Sequence, residues 1–203
     1  MTEDDVALWA PRAIRPLSGD EPLAPELEVR HFWSWAFSDL RHNTTRGLLA
    51  QFLVARALGD ERATDVGWDT YDVRTPDGVR IEVKAFGYLQ SWGQAKPSRI
   101  TFSRLTSRTW SDMDGWSTDL DVRADLFVFA VHTCTDAALY DAHDLAAWDF
   151  YVLPAAMVQS LSTRSIGLAT VRRHAGPAVG WSALRAAVDA ARWPDGRDES
   201  GTG

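Results

Sequence analysis

The spacing of apolar residues changes along the chain, and each change marks an element. Residues 27–40 carry aromatic and aliphatic side chains at helical intervals and predict a helix. A second helix is predicted over 45–58, capped by Asn43 or Thr44 and ended by Gly59. Leu48, Gln51, Phe52, Ala55 and Leu58 recur there at i, i+3, i+4, i+7 and i+10, which places them on one face. The period then falls to two. WDTYDVRT (68–75) and VRIEVKAF (79–86) flank Pro76-Asp77-Gly78, a three-residue hairpin loop with glycine at the left-handed position.

Residues 99–103 alternate as a strand, and 104–124 form a long polar loop. Residues 125–134 (DLFVFAVHTC) read as a buried strand. Residues 148–153 and 166–171 read as further strands, with a short helix at 154–161 between them and a closing helix over 181–192. This order predicts an α/β (α+β) fold. Four prolines in residues 1–26 predict an irregular N-terminal arm, residues 27–192 a single domain, and residues 193–203 a disordered tail.

Composition narrows the class. The 203 residues are 45% hydrophobic and 24% charged, ordinary for a globular protein of one domain. No apolar run reaches the ~20 residues of a membrane span. The start, MTEDDVALWA, lacks a basic region and predicts no secretory signal, so the cytoplasm is the expected location. A single cysteine, Cys134, excludes an internal disulfide. The five histidines lack zinc-ligand spacing, and no nucleotide-binding glycine motif occurs.

The net charge is −7, but the acids concentrate at the ends: residues 31–188 hold seventeen acids and sixteen bases. A near-neutral body can still present a local phosphate-binding surface. Of the 21 basic residues only Lys84 and Lys96 are lysine. Lysine is a compact point charge that arginine does not replace.

Lys84 lies in the hairpin. A three-residue loop pairs Thr75 with Val79, so Asp72 faces Glu82 and Thr70 faces Lys84. Asp72, Glu82 and Lys84 then share one face, and Ile81, Val83 and Ala85 share the other. Two carboxylates beside each other suit a divalent cation, Mg²⁺ or Mn²⁺, with a lysine placed to act on an attacking water or on phosphorane charge. The plain alternative is a cross-strand ion pair on an outer sheet face. A one-residue change of turn would exchange Asp72 for Asp69.

Asp72, nine residues, then Glu82-Val83-Lys84 resembles the signature of the PD-(D/E)XK nuclease superfamily, which implies its restriction-endonuclease-like fold, a mixed central sheet flanked by helices. The likeness covers roughly residues 44–135. It implies metal-dependent hydrolysis of DNA phosphodiesters, the metal held by Asp72 and Glu82 with Lys84 assisting. It implies double-stranded rather than single-stranded DNA as partner, and a homodimer. In that family the preceding helix offers an acid to the metal; here Gln51 takes that place, and Tyr71 stands where the family has proline. The alternative is a nuclease-fold protein that binds nucleic acid or a protein without cutting.

Gln90, Arg99 and Arg104 are further candidates for phosphate or base contact. Trp92, Trp110 and Trp116 lie in predicted loops where they could stack on unpaired bases.

Overall fold

The computed structural model describes residues 16–60, 62, 71–103, 105, 110–111, 115–116, 124–161 and 163–192. The chain divides into two compact units, Met1–Ser38 with Arg62–Val66, and Asp39–Glu61 with Gly67–Gly203.

In the smaller unit, β1 (Pro22–Ala24) pairs antiparallel with β2 (Leu27–Glu28). The predicted irregular arm therefore contains part of a small hairpin, turned at Glu26 with a φ of 62°. Helix α1 (Val29–Phe37) follows, shorter than the predicted 27–40. Its first turn is closed by a capping box: Glu28 accepts from the His31 backbone, and His31 Nδ1 accepts from the Glu28 N–H at 2.9 Å.

The larger unit is built on a mixed sheet. After α2 (Asn43–Leu58) come β3 (Val73–Arg74) and β4 (Arg80–Gly87). The short strands β5 (Thr101–Ser103), β6 (Trp110–Ser111) and β7 (Gly115–Trp116) precede the fully buried β8 (Leu126–His132). The chain continues through β9 (Trp148–Pro154), α3 (Ala155–Ser160), β10 (Ser165–Gly167), α4 (Leu168–Ala175) and α5 (Leu184–Arg192). The main sheet has the order β3-β4-β8-β9. The outer pairs are antiparallel and β4/β8 is parallel. The chain is thus a mixed α/β protein with helices packed on a mixed sheet.

Alternation along β4, β8 and β9 produces two apolar layers. Ile81, Val83, Val128, Ala130 and Phe150 meet Ala50, Leu53, Val54 and Leu58 of α2 and Leu184 and Val188 of α5. Phe127, Phe129, Tyr151 and Leu153 meet Phe102, Val158, Ile166 and Val171 on the other side. Each buried aliphatic or phenyl group contributes about 1.5–3 kcal/mol. Arg80 and Asp125 fix the start of the parallel pair. The Asp125 carboxylate accepts from the Arg80 backbone at 2.8 Å and from its guanidinium at 2.7 and 3.1 Å, while the Asp125 N–H donates to the Arg80 carbonyl at 2.8 Å.

Two assignments change. Residues 166–171 are not a strand: β10 stops at Gly167, and Leu168 and Val171, both buried, start an amphipathic helix. The apolar face of α2 is also displaced. Phe52 is 54% exposed and Leu48 38%, whereas Ala50, Leu53, Val54 and Leu58 face the core. The long loop 104–124 is described only in part and contains the β6/β7 pair. The predicted tail, 193–203, lies outside the described residues.

Among the described residues no helix is long and apolar enough to cross a membrane.

Candidate functional site

The hairpin sets the site. Thr75 and Val79 pair across Pro76-Asp77-Gly78, with the Thr75 N–H on the Val79 carbonyl at 3.0 Å and the Val79 N–H on Thr75 Oγ1 at 2.9 Å. Gly78 has a φ of 94°, the left-handed conformation such a loop needs. Val73 faces Ile81 and Arg74 faces Arg80, so the ladder keeps the register that the turn dictates.

At Asp72 the ladder ends. Its N–H donates to the carbonyl of Ile81 at 3.0 Å, the residue already facing Val73, so Asp72 does not sit directly opposite Glu82. Its side chain takes over the edge of β4: Oδ2 accepts the Val83 N–H at 2.7 Å. Oδ1 accepts from Gln51 Nε2 at 2.9 Å. An acceptor for an in-plane strand N–H lies near the plane of the sheet, which lets Gln51 reach it from the helix layer.

Glu82 and Lys84 project from the sheet face opposite α2, level with Phe127 and Phe129 of β8. Lys84 Nζ donates to Glu82 Oε1 at 2.5 Å. The two side chains are 22% and 19% exposed, so solvent and a ligand can reach them. Four residues thus form two bonded pairs, Gln51–Asp72 and Glu82–Lys84. The Val83 N–H, between Glu82 and Lys84 in the chain, joins the pairs. The formal charge of the group is −1.

Gln90 does not belong to this group. It is buried, with Nε2 on the Gly87 carbonyl at 2.8 Å and Oε1 accepting from Arg46 at 3.0 Å. Arg99 is exposed just before β5. Asp69 and Arg104 lie outside the described residues.

Arg46 is the residue the sequence reading missed. It is 1% exposed and donates to the carbonyls of Arg41 (3.1 Å) and Leu89 (2.9 Å), to Gln90 and to Asn43. Its guanidinium also lies 5.8 Å from the Phe86 ring centroid. A Cβ on Gly87 would come within 3.0 Å of Arg46 Nη1, so glycine there makes room for the guanidinium. Among the described residues no carboxylate lies within 4.0 Å of it, and burial lowers its pKa from the ordinary value. Arg46, Ala50 and Leu53 recur at i, i+4 and i+7, so an arginine interrupting that apolar stripe was the available signal.

His132, at the end of β8, is also fully buried. Its Nε2 is 3.0 Å from the Asp141 carbonyl, which makes Nε2 the protonated nitrogen and leaves Nδ1 bare and without a partner. Burial first, and the charge of Arg46 second, hold its pKa below the ordinary value, against the opposing bond to Asp141.

No protein-family model matches the chain, and no curated protein matches it.

Proposed function

We propose that the chain is a metal-dependent phosphodiesterase acting on DNA, with a restriction-endonuclease-like core. The observation that carries this reading is the placement of Asp72. A carboxylate is held by the backbone between Glu82 and Lys84, at the edge of the strand that presents both. An ordinary surface ion pair needs only Glu82 and Lys84; it does not need a second carboxylate held by the Val83 N–H and Gln51. The order of helix, hairpin and buried strand agrees with the same reading.

The donor set fits a hard cation. Asp72 and Glu82 offer carboxylate oxygens, Gln51 carries an amide oxygen, and no histidine or thiol takes part, which suits Mg²⁺ or Mn²⁺. Asp72 and Glu82 would hold the ion, which when bound supplies a Lewis acid for the phosphate. Lys84 holds a proton-rich ammonium beside Glu82, where it orients the attacking water and offsets charge as phosphorus gains a fifth oxygen. Hydrolysis forms the water O–P bond, breaks the P–O bond to the leaving alkoxide and delivers a proton to that oxygen.

The test is incubation of purified protein with plasmid, single-stranded DNA and RNA, with Mg²⁺ or Mn²⁺. Lys84→Ala should abolish cleavage with the fold retained, and Glu82→Ala should also weaken divalent binding in calorimetry. Cleavage that survives both Lys84→Ala and EDTA overturns the proposal. The non-cleaving reading is favoured by one observation, the neutral Gln51 donating to Asp72. DNA binding without cleavage of any substrate would select it.

A further inference from the structure

From Val83 to Ser111 the chain runs 29 residues without a single acid, although 28 acids in 203 residues would put about four there. The same stretch carries five bases: Lys84, Lys96, Arg99, Arg104 and Arg108. An acidic protein therefore has a positive segment directly after its Glu-x-Lys strand.

The first part of that segment is a constructed loop. Ser98 closes its base by donating to the Tyr88 carbonyl at 2.8 Å. Gln94 fills it, accepting the Gln90 N–H at 2.6 Å and donating to Ser98 Oγ at 2.9 Å. Arg46 and the Gln90 side chain tie it to α2 and the end of β4. On this framework Trp92 stands 57% exposed, with Lys96 and Arg99 also exposed. In the larger unit Trp148 is buried and Trp181 half-buried, whereas Trp92 faces solvent. Its neighbours in the chain, Ser91, Gly93, Gln94 and Ala95, are small or polar.

We infer that this loop is a contact surface for single-stranded nucleic acid, with Trp92 stacking on an unpaired base and Lys96 and Arg99 meeting phosphates. A base offers its flat face only when it is out of the duplex stack, and stacking of this kind tolerates any sequence. The loop's bases supply the salt-dependent part of the affinity. The inference rests on the nuclease reading only for calling the bound strand a substrate; the binding stands apart from it.

The experiment is fluorescence anisotropy in EDTA, which separates binding from cutting. The probes are a labelled oligothymidylate of about 20 nucleotides, long enough to span a typical site, and a blunt duplex of equal length. Trp92→Ala should weaken oligothymidylate binding about 5- to 150-fold, and Trp92→Phe, which keeps a ring face, should restore much of it. Lys96→Gln with Arg99→Gln should flatten the slope of log affinity against log salt by about 1.4. Unchanged affinity in Trp92→Ala overturns the inference, as does absence of oligothymidylate binding or a preference for the blunt duplex. Trp92-dependent binding without cleavage would uphold the loop's role and overturn the nuclease reading. Cleavage with Trp92→Ala binding unchanged would do the reverse.

Discussion

Replacing Gln51 with glutamate tests the contact on which the site turns. Gln51 donates an amide hydrogen to Asp72 Oδ1 at 2.9 Å. In Gln51→Glu that donor becomes a second carboxylate oxygen, and the two formal charges come to about 4 Å. At an effective dielectric of 20 the repulsion is about 4 kcal/mol, and a charge-assisted hydrogen bond of about 1.5–3 kcal/mol disappears as well. Both side chains are only half-buried, so solvent and small rotations remove much of this. A net loss of about 2 kcal/mol at neutral pH is the expected outcome. For a chain of this length that lowers Tm by about 4–8 °C in EDTA.

The sign with pH follows. Repulsion raises the folded-state pKa of the carboxyl pair above its unfolded value, so the penalty is full at neutral pH and vanishes as pH falls through the raised value, when one proton bridges the pair. A divalent cation should remove the same penalty, so Mg²⁺ or Mn²⁺ should raise Tm more in Gln51→Glu than in the parent. The assay is differential scanning fluorimetry in EDTA and in saturating Mg²⁺, across pH. A Gln51→Glu protein that melts with the parent in EDTA, or whose deficit is the same at acid pH and in Mg²⁺, would refute the reasoning.

Three further outcomes are expected. Arg46→Leu should cost about 2–4 kcal/mol in urea denaturation, because the Leu89 carbonyl and Gln90 Oε1 lose their donor while a buried charge is relieved. His132 has a folded pKa below its unfolded value, so stability is full above about pH 7 and is lost as pH falls through the unfolded pKa of ~6.5. Tm measured against pH should therefore decline below neutrality, less steeply in His132→Gln. Hydrogen bonds from Arg80 hold Asp125 below the ordinary carboxylate range. Asp125→Asn should cost about 1 kcal/mol near neutral pH, and the difference from the parent should shrink as acid protonates Asp125.

The legible parts of this fold are the local ones. The register of β3 and β4 follows from Pro76-Asp77-Gly78 because a turn acts through its own few residues. The buried character of β8 follows from LFVFAV because only a strand covered on both faces tolerates such a run. The face of α2 was displaced because Phe52 and Leu48 are apolar yet exposed, and hydrophobicity identifies burial in one direction only. The start of α4 read as a strand because a short apolar run fits either period. Asp72 was located, but its capture of the Val83 N–H was not, since a side chain that replaces a strand partner leaves no periodic trace. Gln90 reads as a candidate for phosphate or base contact because it follows the strand of Glu82 and Lys84, whereas its partner, Arg46, is 44 positions away in the chain.

The two halves of the candidate site also differ in when they can form. The Asp72–Val83 bond closes a hairpin, and such units assemble in about 1–10 μs. The neighbouring parallel pair joins Ile81 to Leu126 and cannot form until the whole intervening connection has closed, a contact of the kind that sets folding rates. The bonds that Asp72 makes to Val83, and Lys84 to Glu82, are therefore local in sequence, whereas β8 joins the same strand only across the long connection. Variants within the connection between β4 and β8 should slow folding while leaving those local bonds intact, and variants at Thr75 or Gly78 should disturb them.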